Sequence, residues 1–303
     1  MTFTTSLKEE ISQTGLNIEE TRIQLEAFIK CAGKIGSDIV LTLENGSVAR
    51  KIYKEIKQIY DISPLVIVRN QKRFRVKQIY ILMIKDKVSF IKNDINIKHP
   101  VSELSSDEEK AAFLSGAFLA IGNISNPQTS GYHLEFICST LRLAKEIKYV
   151  LDYYNFDAKI ITRGYRSVVY LKASENISDI IKLFKAYNSL FFFEDIRIYR
   201  DHKNMVNRLN NCELSNQTKS IETGLKQLEM IKYIKSNHLD DLLDEKTKMV
   251  VDAREKYPES SLSELANIIT LEYNYRIGKS GVNHHFIKLN NLVKRHKNNN
   301  ENR

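Results

Sequence analysis

The 303-residue sequence has only three cysteines, four prolines and 11 glycines, and it has no tryptophan. Cys31, Cys138 and Cys212 lie far apart, without a Cys-x-x-Cys pair and without a histidine pair beside them. Zinc knuckles need closely spaced ligands and disulfide frameworks need paired cysteines, so the first is excluded and the second is disfavoured. We expect ordinary buried thiols in a reducing compartment.

Long apolar runs are also absent. The longest strongly apolar stretch, residues 113–121, is far shorter than the ~20 residues that cross a bilayer, so we expect no membrane span. Residues 1–11 lack an apolar core followed by a small-residue cleavage site, which predicts no secretion signal and a cytoplasmic protein.

The charge is unbalanced towards lysine and arginine, with a formal net charge of +9 and a pI of about 9.2. A basic surface attracts polyanions, so nucleic acid is the leading partner and an anionic membrane the second. Mutational bias in an AT-rich genome would give the same lysine-rich composition, so charge alone does not decide. The 42% hydrophobic content and the length predict a folded chain of two domains.

An internal repeat organises the first two thirds of the chain. Hydrophobic periodicity predicts helices at 18–32 and 47–60 and strands at 38–43, 65–68 and 76–84. The second half repeats this order, with helices at 107–121, 141–154 and 177–187 and strands at 132–139, 158–162 and 167–172. A capping box at 106–109 begins the second leading helix, and Gly33 and Gly122 can end the two leading helices. The sequence therefore predicts an α+β domain over 1–195, a tandem αββαββα repeat with halves at about 1–100 and 101–195.

The leading helices contain two similar nonapeptides, LEAFIKCAG at 25–33 and LSGAFLAIG at 114–122. These resemble the two LAGLIDADG motifs of a single-chain homing endonuclease, which implies that the two helices cross closely and that the halves are related by a pseudo-twofold axis. In active members of that superfamily the penultimate motif residue is the acid that holds a divalent metal. Ala32 and Ile121 occupy these positions, and neither can ligate magnesium. We therefore expect a degenerate domain with no catalytic residue, no metal and no cofactor.

Displaced acids are the alternative. Glu26, Asp38 and the acidic run at 107–109 could replace the missing carboxylates and preserve a divalent-metal endonuclease. The run lies at a predicted helix start, where carboxylates act as caps, so we favour capping.

Two predicted hairpins have basic turns, at 72–75 and at 163–166. The superfamily lays its sheets on DNA, so these residues could contact phosphates. Most exposed basic side chains bind nothing, and we slightly favour solvated loops over DNA contacts.

Residues 196–219 are polar, rich in asparagine and without clear helical periodicity, which predicts a linker. The segment contains Asn207-Arg208-Leu209, Asn211-Cys212-Glu213, Asn216 and Lys219, and these residues resemble the part of the WhiA family that bridges its two domains. The residues that we select from it are Asn207, Arg208, Asn211, Asn216 and Lys219. Contact with the DNA backbone, or control of the domain angle, competes equally with simple interdomain hydrogen bonding.

The region 220–297 has the pattern of an all-α domain, with helices predicted at 220–234, 244–256, 262–269 and 279–293. A capping box at 261–264 begins the third helix, and a proline at 258 ends the second. The last two helices, joined by 270–278, are typical of a helix-turn-helix, and 279–284 resembles the WhiA signature at this helix. The connector looks longer than the family implies. Residues 298–303 are predicted to be a disordered tail.

A helix-turn-helix presents the N-terminal end of its second helix to the major groove, where asparagine can read adenine and lysine can read guanine or phosphate. The predicted DNA-binding residues are Ser261, Ser263, Lys279, Ser280, Asn283, His284 and Lys288. The alternative is a three-helix bundle whose polar face meets only water. His284 and His285 do not predict a metal site, because neighbouring residues point to different helix faces and no third ligand is apparent.

These patterns predict a non-catalytic regulator that binds double-stranded DNA at promoters and is associated with the nucleoid. Resemblance to the WhiA family implies links to sporulation, cell division and chromosome segregation. The LAGLIDADG-like domain would then serve as a scaffold or as a docking platform for a protein partner. A nucleoid or cell-division adaptor that binds mainly protein is a further alternative, beside the endonuclease.

Overall fold

The structure is a computed structural model that describes residues 2–71, 78–95 and 101–301. The chain divides into two compact units, Met1–Asp201 and His202–Arg303. The basic turn predicted at 72–75 lies outside the described residues. Within the described ranges, no helix is both long and apolar enough to pass through a membrane.

The first unit contains two halves with the same order of elements. The first half comprises α1 (Phe3–Gln13), α2 (Ile18–Ala32), β1 (Lys34–Ile35), β2 (Ile39–Leu43), α3 (Gly46–Tyr60), β3 (Leu65–Asn70), β4 (Gln78–Ile84) and α4 (Val88–Asn93). The second half comprises a short 3-10 helix (Val101–Glu103), α5 (Asp107–Ile121), β5 (Gly122–Ile124), β6 (Leu134–Cys138), α6 (Leu141–Tyr153), β7 (Lys159–Arg163), β8 (Arg166–Leu171) and α7 (Ser174–Leu183). The predicted αββαββα repeat is confirmed.

Each half forms an antiparallel four-stranded sheet with the same topology. The strand orders are β1-β2-β4-β3 and β5-β6-β8-β7. Leu41 pairs with Leu82 in the first sheet, and Phe136 pairs with Val169 in the second, and all four side chains are buried. Alternate residues of these strands therefore point into one continuous core beneath both sheets.

The two leading helices, α2 and α5, pack closely against each other. A Cβ added to Gly116 of α5 would lie 2.2 Å from the carbonyl oxygen of Gln24 and 3.1 Å from Cβ of Ala27. At the same crossing the Gln24 amide donates a 2.6 Å hydrogen bond to the hydroxyl of Ser115. Only glycine allows this approach, so the helix crossing predicted from the two nonapeptides is confirmed.

Helix α1 was not predicted from the sequence. Phe3, Leu7 and Ile11 recur every four residues and bury one face of the helix in the core, and the Thr2 side chain caps its first turn. A single short stripe is a weak signal, because a helix of this length is stable only when its apolar face is covered.

The linker prediction was wrong in its local structure. Helix α8 runs without interruption from Tyr187 to Ser236, so residues 196–219 are helical. The predicted closing helix at 177–187 is likewise replaced by α7, which ends at Leu183, and by the start of α8. Asparagine lowers helix propensity only by tenths of a kcal/mol, and the strong formers on both sides carry the helix through the polar segment.

The second unit is helical in its described part. Beyond α8 it contains a 3-10 turn (Asp240–Leu242), α9 (Glu245–Lys256), α10 (Leu262–Glu272) and α11 (Lys279–Glu301). Its core is a separate cluster that includes Ile231, Val250, Leu265 and Phe286. The tail predicted to be disordered from residue 298 instead continues α11 to Glu301, since nothing in this asparagine-rich sequence breaks the helix.

Candidate nucleic-acid interface

Ala32 and Ile121 are the last residues of α2 and α5, and each is half-buried. Gly33 and Gly122 follow them as C-caps, as predicted, and donate their backbone N–H groups to the carbonyls of Ile29 and Phe118. Both helices therefore end in an apolar side chain, which cannot ligate a metal ion. Among the described residues, no cluster of three or more histidine, cysteine or acidic side chains is placed to hold a metal ion.

The acidic run at the start of α5 is engaged in local hydrogen bonds. The Glu109 carboxylate accepts a 2.7 Å bond from the backbone N–H of Ser105, and this bond is the main reason that the pKa of Glu109 lies below its usual value. Ser106 completes the predicted capping box with Glu109, and Asp107 accepts a 2.9 Å bond from the Tyr153 hydroxyl. The carboxylates of Asp107 and Glu109 are therefore used to fix the helix start.

The second basic turn, at 163–166, also has a charged side chain that is engaged locally. Gly164 has a φ of +63°, which the tight β7–β8 turn requires, and Tyr165 beside it is 87% exposed. Arg163 lies 3.7 Å from the Glu135 carboxylate, and the Arg166 guanidinium lies 5.6 Å from the Tyr165 ring centroid. Arg163 is thus partly neutralised, whereas Arg166 stays an exposed cation.

The candidate recognition element comprises α10, the connector 273–278 and α11. The connector is shorter than the predicted 270–278, because α10 continues to Glu272. Ser261 caps α10, as predicted: its hydroxyl accepts a 3.2 Å bond from the Glu264 N–H, and the Glu264 carboxylate accepts a 2.7 Å bond from the Ser261 N–H. The latter bond lowers the pKa of Glu264.

Helix α11 has one apolar and one polar side over its first four turns. Its buried residues are Val282, Phe286, Leu289 and Val293, at the predicted four-three-four spacing. Of the seven predicted DNA-binding residues, six are exposed: Ser263, Lys279, Ser280, Asn283, His284 and Lys288. Ser261 is half-buried and used as a cap. The structure therefore places five exposed polar side chains on the first three turns of α11 and Ser263 at the start of α10.

His285 lies on the inner side of α11, unlike its exposed neighbour His284. It is buried, and its ring Nδ1 lies 2.8 Å from the Thr247 hydroxyl of α9. Burial is the main cause that lowers the pKa of His285, and the Asp244 carboxylate opposes it. His285 therefore joins α11 to α9 from the inside and is not a surface ligand.

Arg254, on the last turn of α9, was missed by the sequence reasoning. Its side chain is buried, and its Nη1 donates hydrogen bonds to the carbonyls of Ser260 (2.5 Å) and Pro258 (3.2 Å). The guanidinium carbon lies 5.7 Å from the ring centroid of Phe286, and burial lowers the pKa of Arg254 to about 10. A signal was available, because Arg254 falls four residues after buried Val250 on the same helix stripe.

The five residues selected from the predicted linker are exposed side chains on α8. At 3.6 residues per turn their positions span about half of the helix circumference. They are Asn207, Arg208, Asn211, Asn216 and Lys219. Of these, Asn216 donates a 3.8 Å bond to the Cys212 sulfur. The structure thus brings them to one half of the helix surface.

A pseudo-symmetric pair of αββαββα halves that cross at a glycine, followed by a helix-turn-helix, defines a LAGLIDADG-like protein with a helix-turn-helix domain. Three family models match successive parts of the chain: the WhiA N-terminal LAGLIDADG-like domain at 19–98, the WhiA LAGLIDADG-like domain at 110–203 and the WhiA C-terminal HTH domain at 206–293. The chain belongs to the WhiA family.

Curated relatives match over nearly the full length. The chain is 34% identical over 307 residues to "Probable cell division protein WhiA" of Staphylococcus haemolyticus, covering 97% of this chain and 96% of that protein. It is 33% identical over 306 residues to the protein of the same name in Staphylococcus aureus strain JH9, with the same coverage.

Two solved structures share the fold. Full-length DUF199/WhiA from Thermatoga maritima aligns with a TM-score of 0.59 and 23% identity over 97% of this chain and 99% of that one. The N-terminal LAGLIDADG domain of DUF199/WhiA aligns with a TM-score of 0.50 and 24% identity over 60% of this chain and 92% of that one.

Proposed function

We propose that this protein is a transcription regulator that binds double-stranded DNA at promoters through α10 and α11. The observation that carries the proposal is the exposed polar side of the first turns of α11, above a buried apolar stripe. Asn283 and Lys288 supply the residue types that read adenine and guanine edges in the major groove. The net charge of +9 adds sequence-independent attraction to the duplex.

We propose further that the LAGLIDADG-like domain does not cleave DNA. Cleavage through divalent metal needs carboxylates that converge on the scissile phosphate, and Ala32 and Ile121 offer only hydrocarbon at the two helix ends. The domain would be retained as a scaffold or as a docking platform for a protein. Support for docking comes from the outward side of the first sheet, where Leu65 pairs with Met83 and Ile67 with Ile81.

The cellular role proposed for the chain follows its relatives. Both staphylococcal proteins are named as probable cell division proteins, which favours a role in cell division or the associated steps of sporulation and chromosome segregation. DNA binding in such a role would place the protein in the cytoplasm, on the nucleoid.

Chromatin immunoprecipitation with sequencing tests the regulator proposal directly. Discrete promoter peaks that disappear in an Asn283→Ala, Lys288→Ala double variant are expected. Absence of any peak would instead indicate an adaptor whose main partner is protein. In parallel, purified protein should leave supercoiled plasmid and genomic DNA intact with Mg²⁺ or Mn²⁺, and reproducible metal-dependent nicking would contradict the non-catalytic proposal.

A further inference from the structure

A cleft of about 660 Å³ opens in the first unit beside the C-terminal end of α5. Phe28 and Ile121 are among its apolar lining residues, and α1, the start of α3 and the second sheet supply its polar rim. We name it the Lys8 cleft. The cleft includes one of the two positions where an active LAGLIDADG domain would carry a metal-binding acid, and its volume is that of a small-ligand pocket.

Charged side chains make the cleft positive. Lys8 and Arg166 line it as cations, and Glu44 is the one carboxylate among the lining residues that the structure describes. The C-terminus of α5 adds partial negative charge, and the N-terminus of α3 at Gly46 adds partial positive charge. These helix ends oppose each other at about half a unit charge each, so the side chains decide the sign.

Lys8 is held in place without an ionic partner. Within the part of the chain that the structure describes, its ammonium makes no hydrogen bond or ion pair, and Nζ lies 5.7 Å from the ring centroid of Phe118. Burial lowers the pKa of Lys8 to about 8, and Glu44 attracts it only from beyond ion-pair distance. An anion in the cleft would supply the missing counter-ion.

Helix α1 is fixed where it carries Lys8 into the cleft. One turn before Lys8, the Thr4 hydroxyl donates a 2.7 Å bond to the carbonyl of Ile124 and accepts a 3.0 Å bond from its N–H. Residues four apart share one helix side, so this anchor on β5 also sets the direction of Lys8. The backbone that carries Lys8 is therefore fixed before an anion binds.

We propose that the Lys8 cleft is a phosphate-binding site, in which Lys8 and Arg166 are the cationic ligands of a phosphoryl group. A tetrahedral oxyanion suits a cleft that is lined by two cations and by hydroxyl groups on its rim, and a divalent metal in the same place would be repelled by Lys8. The phosphoryl group comes either from the DNA backbone or from a free phosphate or nucleotide. The proposal does not depend on the recognition role of α11.

The test uses the full-length protein in a phosphate-free buffer, with inorganic phosphate, pyrophosphate and ATP as probes and with sodium chloride added to equal ionic strength. Calorimetric titration should show saturable binding of at least one phosphate probe, and that probe should raise the melting temperature more than chloride does. Lys8→Gln should weaken binding at least tenfold, and Lys8→Arg should retain it within a few fold. Lys54→Gln, an exposed lysine of α3, is the matched control and should bind as the wild type does.

A further measurement distinguishes the DNA backbone from a free phosphate or nucleotide as the source of the phosphoryl group. If the backbone is the source, Lys8→Gln should reduce the log–log salt slope of duplex binding by about 0.9, whereas a free ligand leaves the slope unchanged. The Asn283→Ala, Lys288→Ala variant should keep its phosphate binding, which distinguishes failure of this site from failure of the recognition helix.

Equal effects of phosphate and chloride on the wild type, or undiminished phosphate binding by Lys8→Gln, would overturn the proposal. If Lys8→Gln does not fold by circular dichroism, Arg166→Gln decides instead, because Arg166 is exposed and its loss should weaken binding several fold without unfolding the protein.

Discussion

Glu10 forms two hydrogen bonds with Ser189, which lies 179 residues later in the sequence at the start of α8. One carboxylate oxygen of Glu10 accepts a 2.8 Å bond from the backbone N–H of Ser189 and a 2.6 Å bond from its hydroxyl. The other oxygen accepts a 2.7 Å bond from the N–H of Asn188. A carboxylate of α1 thus caps the longest helix of the chain, where N–H groups have no intrahelical acceptor.

Replacing Glu10 with alanine should lower the free energy of unfolding by about 1–2 kcal/mol, because two helix N–H groups and a hydroxyl lose their acceptor. Chemical denaturation followed by circular dichroism measures this. Glu19→Ala is the control, since its carboxylate is exposed and its ion pair with Arg22 is long, at 3.9 Å. If both variants lose the same free energy of unfolding, the hydrogen bonds of Glu10 to the start of α8 add no stability.

Gly116→Ala should destabilise the first unit by about 3 kcal/mol or more, because the added methyl group cannot fit at 2.2 Å from the Gln24 carbonyl without moving a helix. Thermal unfolding of the full chain gives the difference. Gly131→Ala is the matched control, since a Cβ there meets nothing within 4 Å. A Gly116→Ala protein as stable as the control would contradict the close helix crossing.

Asn283→Ala and Lys288→Ala should each weaken binding to the best promoter by about 1–3 kcal/mol per lost base contact, with little change on random duplex DNA. Fluorescence anisotropy at several salt concentrations separates the two effects. Asn290→Ala is the control on the same helix, because its side chain is exposed but lies beyond the first turns of α11. An unchanged sequence preference in the double variant would remove α11 as the reading element.

The pH dependence of stability should reveal the desolvated ammonium of Lys8. Its folded pKa of about 8 lies below the ordinary 10.5, so between these values the unfolded chain binds more protons. Stability relative to Lys8→Met should therefore rise as the pH increases from about 8 to 10.5, and should be level below pH 8. Glu44 and Arg166 are the other charged residues that line the described cleft.

Urea titrations of both proteins at matched pH values, in phosphate-free buffer, give this difference. Subtracting one protein from the other removes the titrations that both share. A difference that is constant across the window, or that falls with rising pH, would show that Lys8 is as well solvated as a surface lysine.

The sequence predicted the repeated elements because each has its own strong local signal. The capping boxes at Ser106 and Ser261 and the buried stripe of α11 all appear as expected. The helical run through 196–219 and the burial of His285 could not be predicted in the same way. The helix through 196–219 depends on the helical segments on either side of it. The burial of His285 depends on Thr247, which lies 38 residues away in the sequence and is brought close by the fold.

Arg254 was missed although its helix stripe offered a signal, and its replacement should affect α10 and α11 without removing a contact with DNA. Its guanidinium bonds to the carbonyls of Pro258 and Ser260, directly before the cap of α10, and lies beside Phe286 of α11. Arg254→Met keeps much of the volume but leaves these partly buried carbonyls without their donor, so it should cost about 1–3 kcal/mol of stability. Arg254→Lys keeps a charge, but its compact and strongly hydrated ammonium ends a shorter side chain than the guanidinium, so it should recover only part of the loss. If Arg254 positions α10 and α11, Arg254→Lys should still lose promoter preference at a temperature where it is fully folded, whereas exposed Arg276→Lys should not. Promoter and random-duplex affinities measured at that temperature decide: equal preference in the two variants would show that Arg254 stabilises the domain without orienting α10 and α11 for the proposed DNA binding.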